Sequence, residues 1–258
     1  MIPGAEQVAE PGSGSETVQG LRDQVAEAAR VLARLGLVTA FGHVSARAGE
    51  AMLITPAADL AGVTADRVVE VPLGRRAGPL PPGAPAEAWA HLALYQARPD
   101  AAAIARAQPP SAFAAAATVS VMVPLHGQAA WLGESVPVYD DAALLRSAEQ
   151  AERAARCLPD GEALLLRGNG ALTLGAAPGL AVARMWLLGA ACDVYLKALA
   201  ASGETPSGLR PSEANSVIPL SAGEIASWRA VSGELLPRLW EHLRRRAGAG
   251  PDAGDVQG

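Results

Sequence analysis

The strongest constraint on the fold of this chain is a hairpin signal late in the sequence. Two apolar runs in residues 162–175, EALLLRGNGALTLG, flank the dipeptide Asn169-Gly170. Asn-Gly supplies the positive φ angles that tight hairpin turns require. Three earlier short runs, separated by turn residues, are typical of an antiparallel meander: residues 38–47, 51–56 and 67–73. The sheet is therefore predicted to be largely antiparallel.

Helical patterns alternate with these runs. Apolar residues from Leu21 to Leu35 recur at steps of three and four, which predicts an amphipathic helix that ends at Gly36. Further helices are predicted at residues 86–98, from Pro109 or Pro110, after the run that begins at Val136, from Pro178 to about Ala201, and as one last helix carrying Ile225, Trp228, Leu235 and Leu239. Strands and helices in this order predict an α/β fold, an α/β/α layered sandwich with a central largely antiparallel sheet.

The rest of the sequence sets the domain limits and argues against some partners. We predict a disordered N-terminal tail over residues 1–17, one domain over 18–247 and a flexible C-terminal tail over 248–258. A formal net charge of −5 argues against nucleic acid or an anionic membrane as a partner. Cys157 and Cys192 do not make a disulfide framework, and no apolar signal segment opens the chain, so we expect a cytoplasmic protein.

Three segments, taken in chain order, resemble the class II aldolase/adducin family. They are GLVTAFGHVSAR with the following LITPAADLAGVTADRVVEV, then PAEAWAHLALYQARPDAAAIARAQPPSA, and then LLLRGNGALTLG. The resemblance covers roughly residues 20–200. It implies the layered fold described above, and it implies a homo-oligomer, a tetramer with active sites at the subunit interfaces.

The resemblance also implies that the zinc site of the family is altered here. In metal-dependent members, both histidines of an H-x-H motif and a third from N-H-G bind zinc. The matching positions are Arg106, Gln108 and Asn169. Arginine has no lone pair to offer a cation, and amide oxygens are poor ligands for zinc. We therefore expect neither a metal at this site nor another cofactor.

The phosphate pocket of the sugar-phosphate aldolases is altered as well. His43 stands where the family has an asparagine, alanines occupy residues 57–58, and residues 85–86 ahead of Glu87 are Pro-Ala instead of two serines. Most hydroxyl groups and close backbone approaches that would hold a phosphate are absent from these motifs. The expected substrate is therefore a small-molecule carbonyl compound without a phosphate, larger and less charged than a sugar phosphate.

Glu87 occupies the acid/base position of the family and lies four residues before His91, so both are expected on one side of a helix. With the zinc ligands replaced, Arg106 could supply the positive charge that an enolate oxygen needs. His43 is then a second proton carrier. The catalytic candidates are Glu87, Arg106 and His43, and the substrate-binding candidates are Gln108, Asn169, His91 and Thr55.

These residues favour a metal-independent enzyme of lyase type that acts on an enolisable carbonyl compound, in bacterial specialised metabolism. The reaction classes left open are aldol or retro-aldol cleavage, dehydration and addition with ring closure, which share an enolate. Alternatives remain. The domain could be a catalytically silent, adducin-like assembly unit, Arg106 could be a structural ion pair with Glu87 or Asp100, and a metal could be held by His43, His91 and Glu87.

Overall fold

A computed structural model describes residues 18–201 and 217–248. Its eight strands are β1 (His43–Ala48), β2 (Ala51–Ile54), β3 (Val69–Pro72), β4 (Ala103–Ala107), β5 (Val121–Met122), β6 (Val136–Tyr139), β7 (Ala163–Leu166) and β8 (Gly170–Gly175). The helices are α1 (Val18–Arg34), α2 (Ala88–Ala97), α3 (Pro110–Thr118), α4 (Ala148–Ala155), α5 (Pro178–Ala201), α6 (Ala222–Ala230) and α7 (Ser232–Gly248). Short 3-10 helices cover Leu60–Gly62, Ala65–Arg67 and Gly127–Leu132.

All eight strands form one sheet in the order β3-β2-β1-β4-β8-β7-β6-β5. Every neighbouring pair is antiparallel except β6 and β7, which are parallel. The meander β1–β3 and the hairpin β7–β8 are confirmed. Strand β4 lies in the centre of the sheet, where it pairs with β1 of the meander and with β8 of the hairpin. It therefore brings residues of these two parts of the sheet close together.

Helices cover both faces of the sheet. Successive side chains of a strand point to opposite faces, so each strand contributes residues to both layers. On β4, Ala103, Ala105 and Ala107 pack into a core with helices α1, α3, α5 and α7, whereas Ile104 packs into a second core with α2 and α4. This confirms the α/β/α layered sandwich. It also assigns Arg106, two residues after Ile104, to the α2 side.

Helix α5 has 24 residues, and in the described part of the chain it is the helix long and apolar enough to cross a membrane. Most of its most apolar window, 61%, is buried inside the protein. It packs against β4, β8 and α3. This is the environment of a core helix, which needs an apolar surface nearly all round because it is covered on several sides.

The structure corrects the C-terminal prediction. The apolar spacing of Ile225, Trp228, Leu235 and Leu239 predicts one helix, but α6 ends at Ala230 and α7 begins at Ser232. Short β5 and the 3-10 helix at Gly127–Leu132 were also not predicted. The predicted tails lie outside the described residues, except that Gly248 ends α7.

Candidate active site

The candidate site begins where β1 and β4 pair at one end of their ladder. His43 and Arg106 are register partners, so their side chains leave the sheet on the same side. Ser45, next on that side of β1, contacts His91 and Tyr95 of α2, which fixes the side as that of α2. Gly42, directly before β1, lies so close to Val38 that a Cβ atom there would be 2.5 Å from Val38 Cγ1. Glycine therefore allows this close approach of the backbone to Val38.

Glu87 immediately precedes α2, and its carboxylate faces this group. Its Oε2 lies 3.9 Å from Nε2 of His43. Its Oε1 accepts a hydrogen bond of 2.9 Å from Nε of Arg146, a residue of the loop between β6 and α4. The Glu87 side chain is only 13% exposed. The carboxylate is therefore largely shielded from solvent.

The protonation state of Glu87 follows from these contacts. Burial opposes ionisation, but the hydrogen bond from Arg146 and the positive charge of Arg106 outweigh it and lower the pKa of the carboxyl below its ordinary value. Glu87 is thus an anion at neutral pH. In that form it can accept a proton but has none to give.

Arg106 is the buried cation of the site, with 3% of the residue exposed. Its Nη2 donates to Oδ1 of Asn169 at 2.5 Å and lies 3.4 Å from the Asn169 carbonyl oxygen, while its Nε has no partner. Burial lowers the pKa of Arg106 and Glu87 acts against that, yet a guanidinium stays charged at neutral pH. The suggested pair with Asp100 is wrong, because Asp100 pairs with Arg98 at 2.6 Å.

Asn169 reaches Arg106 because of the β7–β8 turn. The turn consists of residues 167–169, and Gly170 then pairs with Leu166 as the first residue of β8. Gly170 has φ +88°, and a Cβ there would lie 2.2 Å from the Ala107 carbonyl oxygen. Glycine therefore lets the turn lie against the end of β4, which carries Arg106.

Both buried histidines are held neutral. Burial and the charge of Arg106 lower the pKa of His43 to about 4, although Glu87 acts in the opposite direction. Burial, His43 and Arg106 lower the pKa of His91 as well. The two rings meet edge to face with centroids 6.2 Å apart. Nδ1 of His91 lies 2.7 Å from the Ser45 hydroxyl, which in turn lies 2.9 Å from the Tyr95 hydroxyl.

The two remaining predicted binding residues differ in their surroundings. The side-chain Oε1 of Gln108 is buried without a partner, just beyond the end of β4. Thr55 is fully buried, and its hydroxyl accepts a hydrogen bond of 3.2 Å from the backbone N–H of Val44. The described contacts therefore give Thr55 a place between β1 and β2. Its role in binding substrate stays a prediction.

Five buried polar atoms of the predicted site have no hydrogen-bond partner in the structure. They are Nδ1 of His43, Nε2 of His91, Nε of Arg106, Oε1 of Gln108 and Nδ2 of Asn169. Buried polar atoms are nearly always satisfied in proteins, so such a set calls for a ligand or water. A shallow surface depression lies elsewhere, between α2, α4 and the loop after β3, and none of the predicted site residues lines it.

The side chains present do not fit zinc. Arg106 offers no lone pair and would repel a cation, and its contact with Asn169 uses the amide oxygen that a metal would need. Among residues 18–201 and 217–248, no group of three or more His, Cys, Asp or Glu side chains is placed to hold a metal ion. The alternative set of His43, His91 and Glu87 therefore does not form a metal site there.

Arg146 is the member of this group that the sequence did not reveal. It lies 59 residues from Glu87 in an irregular loop and belongs to none of the three motifs. Nothing in its local sequence distinguishes it from the other arginines of the chain. Only the contact between α2 and α4, which brings the start of α4 to the start of α2, identifies it.

A mixed eight-stranded sheet between helical layers, with polar residues of two strand ends and one helix start converging, is the architecture of the class II aldolases. The family model for the class II aldolase and adducin N-terminal domain matches residues 23–196. The chain belongs to this family. The resemblance seen in the sequence is thereby confirmed.

Individual relatives fit the same assignment. The chain is 31% identical over 169 residues to a 3,4-dihydroxyphthalate decarboxylase of Rhodococcus jostii (strain RHA1), a match that spans 59% of this chain and 70% of that protein. An L-fuculose-1-phosphate aldolase from Thermus thermophilus is 29% identical with a TM-score of 0.64, over 72% of this chain and 98% of that one. An aldolase II superfamily protein from Pseudomonas syringae shares the fold, with 22% identity, a TM-score of 0.69 and 92% and 94% coverage.

Proposed function

We propose that this protein is a metal-independent lyase of the class II aldolase superfamily, which acts on an enolisable carbonyl compound without a phosphate. One observation carries the proposal: the guanidinium of Arg106 is buried next to Asn169, on the same side of the sheet as the ionised Glu87. A fixed positive charge in a buried site stabilises an oxygen that becomes negative in the transition state. That is the task which a Lewis-acidic metal performs in metal-dependent lyases.

A retro-aldol cleavage can be written with these residues alone. The Glu87 carboxylate takes the proton of the substrate β-hydroxyl, the bond between the α- and β-carbons breaks, and its electron pair moves onto the carbonyl oxygen. Arg106 and the Nδ2 donor of Asn169 stabilise the resulting enolate. Glu87 then returns the proton to the α-carbon, which restores its charge and releases two carbonyl products. The reverse sequence is an aldol addition.

Decarboxylation would use the same stabilising groups. Loss of CO2 also leaves an electron pair next to a carbonyl, and the new C–H bond then needs a proton from water because Glu87 begins as an anion. The decarboxylase and aldolase relatives support a lyase, and they leave the choice between these two bond cleavages to experiment. Dehydration and addition with ring closure remain variants of the same enolate chemistry.

His43 is the second proton carrier of the proposal. It is neutral at pH 7, and its Nε2 lies 3.9 Å from Glu87 Oε2 while Nδ1 has no partner. A neutral imidazole can accept at one nitrogen and donate at the other. It could therefore exchange a proton between Glu87 and a substrate oxygen. Gln108 and His91 remain proposed contacts to the substrate.

A catalytically silent assembly domain is the second candidate. The observation that favours it is that the surface depression between α2 and α4 is not lined by Glu87, Arg106 or His43. Against it stands the cost of keeping a buried guanidinium and several unpaired polar atoms, which an assembly domain would not need. By resemblance we also propose a homotetramer in the cytoplasm, in which a neighbouring subunit would complete the site.

The test is enolisation, since it precedes any choice among the reactions. The protein is treated with a chelator and incubated in D2O with a panel of non-phosphorylated ketones and 2-oxo acids, and C–H exchange is followed by NMR. We expect exchange that added metal does not raise, and a loss of about 100-fold or more in Glu87→Gln, the usual range for a general acid or base. Arg244→Gln, on the exposed face of α7, is the matched control.

Two results would contradict the proposal. Exchange that appears only with added zinc, iron or manganese would mean that a metal supplies the charge. Exchange that is equal in wild type and Glu87→Gln would mean that Glu87 does not move the proton. If no member of the panel exchanges and the protein is a stable oligomer, the silent domain is the better account.

A further inference from the structure

Two arginines share one carboxylate in the candidate active site. Nε of Arg146 donates to Glu87 at 2.9 Å, and the charges of Arg106 and Glu87 act on each other through the site. Both guanidinium groups are permanently charged. Within the described part of the chain, no carboxylate oxygen lies within 4.0 Å of the Arg106 guanidinium. Glu87 thus makes its direct ion pair with Arg146, and Arg106 has no direct ion pair of its own.

The surrounding groups do not supply the missing negative charge. His43 and His91 are neutral at pH 7 and could only add positive charge. The acids at the start of the loop that carries Arg146 have partners of their own. Asp140 pairs with Arg167, and Asp141 lies 3.8 Å from Arg153. Two guanidinium groups therefore face the single carboxylate of Glu87, and of these Arg146 is half-exposed whereas Arg106 is buried.

Solvent cannot compensate for the positive charge of Arg106. It is 3% exposed, and its partner Asn169 contributes only neutral oxygens, while Nε of Arg106 and Nδ2 of Asn169 remain unpaired donors. A buried charge without a counterion is expensive, and an enolate would neutralise it only in passing. A counterion that is present before the reaction must come with the substrate.

We propose that the substrate is a 2-oxo acid, whose carboxylate is adjacent to the carbonyl group that enolises. In such a compound one carboxylate oxygen and the carbonyl oxygen lie side by side in a plane, which matches the fork of a guanidinium. Arg106 then neutralises the carboxylate in the ground state and the enolate oxygen in the transition state, with Asn169 as a further donor. A monoanion matches the charge of the one buried guanidinium, whereas a phosphate dianion carries twice that charge. This inference rests on the proposed function for the reaction but concerns binding.

Binding of pyruvate and of its uncharged methyl ester tests the inference without any turnover. Calorimetric titrations are carried to about 50 mM, where even a complex of millimolar Kd is largely formed. We expect pyruvate to bind about tenfold or more tightly than methyl pyruvate, and Arg106→Gln to abolish that preference. Glu87→Gln should strengthen pyruvate binding several-fold because it removes a competing negative charge. Arg244→Gln should bind as wild type does.

Equal affinity for acid and ester, or a preference that survives in Arg106→Gln, would overturn the inference. The gain expected in Glu87→Gln guards against misfolding, because a damaged protein does not bind more tightly. The two proposals fail separately. Exchange of neutral ketones without any preference for pyruvate would leave the lyase standing and remove the 2-oxo acid. A preference for pyruvate that depends on Arg106, without any exchange, would support the binding of a 2-oxo acid and remove the lyase.

Discussion

At the scale of single residues, the site is defined by how its charges are distributed. Glu87 is close to His43 and bonded to Arg146, and Arg106 is bonded to the neutral Asn169. The half-exposed Arg146 helps to lower the pKa of the carboxylate, although it is not one of the buried residues of the site. The carboxylate and the buried guanidinium are thus kept apart, each with its own hydrogen-bond partner.

This arrangement predicts the effect of Arg146→Gln on pH dependence. Burial raises the pKa of Glu87, while Arg146 lowers it through its hydrogen bond and its charge, so removal of Arg146 should raise the pKa even though a backbone hydrogen bond and the charge of Arg106 remain. The acid limb of kcat/KM should move to higher pH, because the base stays protonated over a wider range. A pH series of the exchange rate measures this, with Arg244→Gln as the control. An unmoved limb would mean that Arg146 does not set the state of Glu87.

Most site residues could be predicted from the sequence because they lie in motifs whose spacing survives substitution. Glu87, Arg106 and Asn169 were placed by their position in those motifs, and the structure brings them together with His43. Arg146 could not be predicted, since its contact depends on how α4 packs against α2. The surroundings of Thr55 were equally hidden, because a hydrogen bond between a threonine hydroxyl and the backbone N–H of another strand has no sequence pattern of its own.

At the scale of elements, the β7–β8 turn positions the charged site. Gly170→Ala should place a methyl group 2.2 Å from the Ala107 carbonyl oxygen at φ +88°. We expect a loss of about 3 kcal/mol in the free energy of unfolding, from backbone strain and the steric clash together. Gly49→Ala is the matched control, since Gly49 also has a positive φ of 59° but meets nothing within 4 Å.

For Gly49→Ala only the strain remains, at about 1 kcal/mol. Urea unfolding of both variants gives the difference between them. Equal losses would show that the turn does not press against the end of β4. In that case it could not be what brings Asn169 to Arg106.

Helices and strands were predicted well where the period of apolar residues is clear. They were predicted poorly where one helix ends and the next begins without a change in that period. The meander, the hairpin and α5 follow from alternation, Asn169-Gly170 and a long apolar run. The division between α6 and α7 does not, because apolar residues continue at helical spacing across Val231. The capping box of Ser221 and Glu224 marks where α6 begins, but no comparable signal marks its end.

At the scale of the whole molecule, the buried histidines make stability depend on pH. The folded pKa of His43 is about 4 and that of His91 is also lowered, whereas an unfolded histidine has a pKa of about 6.5. Between these values the unfolded chain binds more protons, so stability falls as pH falls from about 6.5 towards 4. Each histidine contributes a slope of about 1.4 kcal/mol per pH unit in that window.

Urea unfolding between about pH 7.5 and 4.5 measures this slope. The slope gives the number of protons that the unfolded chain binds in excess of the folded protein. His43→Gln should reduce the slope by about one proton. An unchanged slope in His43→Gln would contradict the neutral, buried state of that ring. The lowered pKa values of Glu87 and Asp100 act in the same direction, but their contribution is lost only at lower pH.

We propose that Arg106, Gln108 and Asn169 stand in place of a metal, and the metal content of the purified protein is the measurement that decides this. The purified protein is incubated with zinc, iron or manganese, desalted and analysed by elemental mass spectrometry. We predict less than about a tenth of an equivalent for wild type, and about one equivalent of zinc for the triple variant Arg106→His, Gln108→His, Asn169→His, which restores a three-histidine set. About one equivalent of any metal in the wild-type protein would contradict the account, and would make His43 and His91 the first ligands to substitute.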